Sequence, residues 1–139
     1  MRHAPPILTV LLTLAMVGCG GDTHEQAADD LVVLTSEVSG VLEGVEDKQS
    51  AEQAKQELTA LSDEFRAVGK RLTELGEPDE GLEAELEEKY GEQLNDITKK
   101  MNDEVMRIMQ IDPSLLIEIQ KGMDEIGKAM EEAEPQWFK

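Results

Sequence analysis

Apolar residues recur along this chain with a helical period and few slips. In the first stretch they fall at Ala27, Leu31, Leu34, Val38, Val41 and Val45, in alternating steps of four and three. A second series, Ala51, Ala54, Leu58, Leu61, Phe65, Val68, Leu72 and Leu75, keeps the same alternation throughout. Such steps put side chains on one stripe of an α-helix, the seam along which helices pack at a shallow angle. A half-buried strand would alternate every second residue, and no segment does. A third stripe runs Leu82, Leu86, Tyr90, Leu94, Ile97, Met101, Val105 and Ile108, and a fourth Leu116, Ile119, Met123, Ile126 and Met130.

Capping residues mark the ends. Ser50 and Gln53 have the spacing of a capping box, and Gly76 stands where a helix ends in a C′ glycine. Pro78 suits the first turn of the third helix, with Asp79 and Glu80 favouring the positive end of its dipole. Asp112 reads as an N-cap and Pro113 as the first residue of the fourth helix. The third segment is the longest, and it either kinks at Gly91 or projects beyond its neighbours. Short links make sequential helices antiparallel. The expectation is an all-α, up-and-down antiparallel bundle of three to four long helices over residues 26–134. A tether of residues 19–25 precedes it, and a tail of residues 135–139, carrying Trp137 and Phe138, follows.

Composition agrees and adds a charge. Aromatic residues make up only 3% of the 139-residue chain, so its core volume comes from aliphatic side chains on long helices. Thirteen Lys and Arg stand against 31 Asp and Glu, a formal charge of −18. That balance argues against nucleic acid and against lying on anionic lipid, since phosphates would be repelled. It permits a basic protein partner, loosely held divalent cations, or plain solubility.

The first residues follow a different pattern. Met1, Arg2 and His3 make a short positive start, and an uncharged stretch from Ala4 to Gly18 follows, apolar from Ile7 to Val17. Its length suits the h-region of a secretory signal, about 7–15 residues, and falls short of the roughly 20 needed to span a bilayer. The run closes on Met16-Val17-Gly18-Cys19, which contains the chain's one cysteine. A single thiol forms no internal disulfide and is too few for a zinc site. These four residues resemble the lipobox of bacterial lipoproteins: an aliphatic residue, two small residues, then the obligatory cysteine. Gly18 and Cys19 match well, Met16 stands where Leu is usual, and Val17 is bulkier than the usual Ala or Ser. The resemblance implies removal of residues 1–18 as a signal peptide and attachment of diacylglycerol to the Cys19 thiol, with further acylation of the new amino group in many bacteria. Two or three acyl chains anchor stably where one does not. In a bacterium with an outer membrane, the resemblance implies that membrane as the address, because Gly20 stands in the following position and not the Asp linked to inner-membrane retention. The alternative is an ordinary signal peptide and a secreted protein.

Candidate chemistry is sparse. His3 would leave with the signal peptide and His24 lies in the expected tether, so no Glu-x-x-His pair can build a di-iron site. The serines lack a well-placed histidine base, and no Gly-rich phosphate loop is present, so no reaction is expected. Carboxylates crowd residues 77–92, including Glu83 and Glu87, without the spacing of an EF-hand. They read as a solvated face or a docking face for a basic partner. Met101, Met106, Met109, Met123 and Met130 cluster late in the chain, and thioethers can hold Cu(I). Met also fills irregular core gaps.

Met106, Met109, Leu115 and Ile117, with Trp137 and Phe138, exceed what one seam requires and suggest a partner groove or dimer face. The expected function is that of a lipid-anchored, non-enzymatic interaction or structural protein of the cell envelope. It would bind another envelope protein or itself, with no cofactor, nucleic acid or small-molecule substrate implied. A metal-buffering module using carboxylates or thioethers is the alternative. The mature part also resembles, in class only, other small acidic helical lipoproteins of unassigned function.

Overall fold

The computed structural model describes residues 23–133. Four helices account for nearly all of them: α1 (His24–Glu43), α2 (Lys48–Leu75), α3 (Glu80–Ile111) and α4 (Pro113–Ala133). The protein is an all-α helical bundle, with no strand among the described residues.

Local chemistry sets each boundary. Thr23 caps α1, its hydroxyl accepting from Gln26 N while the Gln26 side chain accepts from Thr23 N. The helix therefore begins inside the stretch expected to be a tether, because Thr-x-x-Gln is itself a capping box. At α2 the cap is Asp47 and not Ser50. Asp47 Oδ1 accepts from Ser50 N at 2.8 Å, and Ser50 Oγ accepts from Asp47 N at 2.9 Å. Ser50 is thus the far half of the box, and the helix starts earlier than Ser50-x-x-Gln53 implied.

Gly76 ends α2 at φ 75°, a conformation that penalises any residue with a Cβ, and its N–H donates to Leu72 O at 3.2 Å. Pro78 lies buried just outside α3, whose cap is Asp79, accepting from Leu82 N at 2.9 Å. Asp112 caps α4 as expected and also closes α3. Its N–H closes α3 on Ile108 O, and its Oδ1 accepts from Ser114 N at 2.9 Å in the first turn of α4. Helix α3 runs on through Gly91 as one helix of 32 residues.

Ion pairs show the directions. Lys89 meets Glu25, and Lys100 meets Glu43 at 2.5 Å, so α1 and α3 run parallel. Lys55 pairs with Glu118 at 2.6 Å and Arg66 with Glu132 at 2.8 Å, so α2 and α4 also run parallel. Arg71 reaches Asp30, which sets α1 and α2 antiparallel. Sequential helices alternate as expected, but they are not all neighbours. The packed pairs are α1 with α2, α1 with α3, α2 with α4 and α3 with α4, and no Cα of α2 comes within 8 Å of one in α3. The link at residues 76–79 therefore crosses the diagonal. Because Lys89 is level with the first turn of α1, residues 80–88 of α3 run past the start of α1.

Ala27, Leu34, Val38, Leu42, Val45, Ala51, Ala54, Leu58, Leu61, Phe65 and Val68 form the core of α1 and α2. In α4 the buried face is Leu115, Ile119, Gly122, Ile126 and Ala129. This overturns two readings of the fourth stripe. Leu115 is core, 4% exposed, and Met130 is 50% exposed. Gly122 explains the rotation: a Cβ there would stand 2.9 Å from both Leu58 Cβ and Lys55 O. Where backbones approach this closely, small residues face inward and the bulky ones beside them turn out.

Candidate functional site

The lipobox residues Met16, Val17, Gly18 and Cys19 lie outside the described residues, as do Trp137 and Phe138. The other candidate residues do not form one surface. Met106 and Met109, 53% and 44% exposed, sit a turn apart on one flank of α3. Ile117 is 73% exposed on the outer side of α4, two residues from the buried positions 115 and 119. Leu115 is sealed in the core and offers nothing to a partner. Glu83 and Glu87 are exposed near the other end of α3, about 30 Å along the helix from Met106.

One exposed apolar region went unrecognised in the sequence. Leu31, Val32, Val33 and Leu34 follow one another in α1, and four successive apolar residues encircle a helix at 3.6 residues per turn. Leu34 takes the core, Val32 is half-buried, and Val33 is left 45% exposed. With Ser36, Glu37, Gln93, Asp96 and Ile97 these valines line an open groove of about 520 Å³ on the outside of α1 and α3. The stripe of α3 beside it is thinly covered. Of its eight residues only Tyr90 and Ile108 are buried, and Leu94, Ile97, Met101 and Val105 remain half-exposed.

Charges around the groove divide into used and unused. Lys89, which also stands 5.0 Å over the Tyr90 ring, is engaged by Glu25, and Lys100 by Glu43. Arg107 Nη2 donates to Leu42 O and Glu43 O, satisfying the carbonyl end of α1. Glu37 faces no cation; partial burial, and then the charge of Glu64, push its carboxyl above the usual range. Glu118 and Glu125 on α4 are held below that range by the cations beside them, Lys55 and Lys128. Burial pushes the Tyr90 phenol up.

His24 is no free base. It heads α1, and its Nε2 donates to Gly76 O at 2.7 Å, tying the start of α1 to the end of α2. Among the described residues no three His, Cys, Asp or Glu converge as metal ligands, and no helix is long and apolar enough to cross a membrane. No protein-family model, curated protein or solved structure matches the chain.

Proposed function

We propose that this chain is a bacterial lipoprotein, lipidated at Cys19, whose acidic bundle serves as a non-enzymatic interaction or structural protein at the cell envelope. The carrying observation is the closure of an apolar h-region on Met16-Val17-Gly18-Cys19. Thr23 caps α1 four residues later, so the bundle starts within about 14 Å of the anchoring sulfur along the chain. The start of α1, Gly76 and the acidic first turns of α3 then lie at the membrane side, where anionic headgroups repel Glu80, Glu83, Glu87 and Glu88. Met106, Met109 and Ile117 lie toward the far end, about 30 Å away, within reach of other envelope proteins. Confinement to two dimensions raises the effective concentration near membrane partners.

Intact mass spectrometry of the full-length chain made in a bacterium, beside Cys19→Ala, tests the anchor. Loss of residues 1–18 with added acyl mass, absent in the variant, is the expected result. Cleavage without added lipid overturns the tethering mechanism. At the far end, Met106→Gln with Met109→Gln should release a captured envelope partner. Retention of every partner removes that flank from the contact surface. Calorimetry with Ca²⁺ and with Cu(I) separates this reading from metal buffering, which requires saturable binding heat.

A further inference from the structure

We propose that the groove between α1 and α3 is a docking site for a cationic, amphipathic segment of a partner protein, which seats an apolar side chain on Val32, Val33 and Ile97 and sets Lys or Arg against Glu37 and Asp96. The proposal rests on the reading of the chain as an interaction protein and names the partner chemistry of one surface.

The floor is apolar and the rim is anionic. Val33 cannot retreat into the core because Leu31 and Leu34 already fill the inward stripe, so this apolar surface is built into the sequence of α1. The groove lining contains two carboxylates and no cation. Neither Glu37 nor Asp96 forms an ion pair among the described residues; of the lysines along α3, Lys89 and Lys100 are held by Glu25 and Glu43, and exposed Lys99, a turn from Asp96, lies outside the groove lining. Helix α1 itself has no Lys or Arg from His24 to Glu43. Glu64 on α2 adds to the negative potential at Glu37. A segment with Lys or Arg around an apolar anchor satisfies both halves of this surface, since charge complementarity steers encounter and fixes register.

Other occupants fit less well. The groove is open to solvent, and a small molecule needs a concave site that buries most of its surface. A second copy would bring another 18 net negative charges to an anionic rim.

The probe is a fluorescein-labelled, 14-residue peptide of Leu and Lys patterned as an amphipathic helix, titrated by anisotropy into the full-length chain. Its counterpart replaces every Lys with Glu. Val33→Ser with Ile97→Ser, which leaves the charge unchanged, is expected to weaken binding at least tenfold. Glu37→Gln with Asp96→Asn should weaken it several-fold at low salt, and the loss should shrink at high salt. Glu57→Gln with Asp124→Asn removes the same charge elsewhere and should leave affinity unchanged. Equal binding of the Glu peptide overturns the proposal. So does a loss of affinity that follows total charge irrespective of position, which would mean general attraction to an acidic surface. Dimers in sedimentation that Val33→Ser dissolves would assign the groove to a second copy. Tighter peptide binding after deletion of residues 134–139 would assign it to the chain's own C-terminal segment. Groove binding by a chain without lipid removes only the anchoring reading; lipidated chain with groove variants equal to wild type removes only this proposal.

Discussion

The two parallel helix pairs, α2 with α4 and α1 with α3, solve the same packing problem with opposite results. Between α2 and α4 the backbones nearly touch. Gly122 leaves no room for a Cβ above Lys55 and Leu58, and Ala51, Ala54, Ser62, Gly69 and Ala129 are buried. Between α1 and α3 the residues are mostly larger, the stripe of α3 stays half-exposed, and a groove opens outside. By sequence hydrophobicity α3 has the longer and bulkier stripe. The comparison teaches that small residues at regular spacing, more than apolar content, determine how completely a pair closes.

The contrast can be broken most severely at Phe65, 1% exposed in α2. Phe65→Ala should cost about 3–5 kcal/mol in chemical denaturation, whereas Leu94→Ala on the half-covered stripe of α3 should cost about 1 kcal/mol. Equal losses would mean that the α1 and α3 pair is as closed as its counterpart. Next in size is Gly122→Ala. Its Cβ would collide with Lys55 O and Leu58 Cβ, so a net loss of about 1–3 kcal/mol is expected despite the better helix propensity of alanine. Gly127→Ala sharpens the point, because a Cβ there meets nothing within 4 Å and the change should stabilise by about 0.5–1 kcal/mol.

The electrostatic contrast gives a smaller effect. Glu118 and Glu125 have lowered pKa values, so the stability they contribute is present above the unfolded carboxylate range and lost as pH falls through their lowered folded values. Glu37 has a raised pKa, so its penalty is present at neutral pH and is relieved as pH falls below the unfolded value. Glu37→Gln should therefore raise the melting midpoint slightly at pH 7, with the gain vanishing in acid. Glu118→Gln should do the reverse. Thermal melts at pH 7 and pH 4 check both signs.

Particular residues show where the sequence was legible. The stripes of α1 and α2 could be read because large aliphatic residues, which have nowhere else to go, occupy the seam. Asp112-Pro113 could be read because a cap acts locally. The face of α4 could not, since choosing Leu115 and Ala129 over Leu116 and Met130 requires knowing that Gly122 abuts another helix. Thr23 and Asp47 were within reach, because both capping boxes are written in the chain. Leu115 failed as a surface residue for the same reason that α4 turned, while Val33 could have been found from the run Leu31 to Leu34.

By itself the sequence determined the helical class, most helix ends and the acidity, because periodicity, capping and charge are local or additive properties. Tertiary structure decided which helices are neighbours, which side of α4 faces inward and which carboxylates keep a cation. Those depend on the distance between backbones remote in sequence, and each side chain's burial follows from that distance.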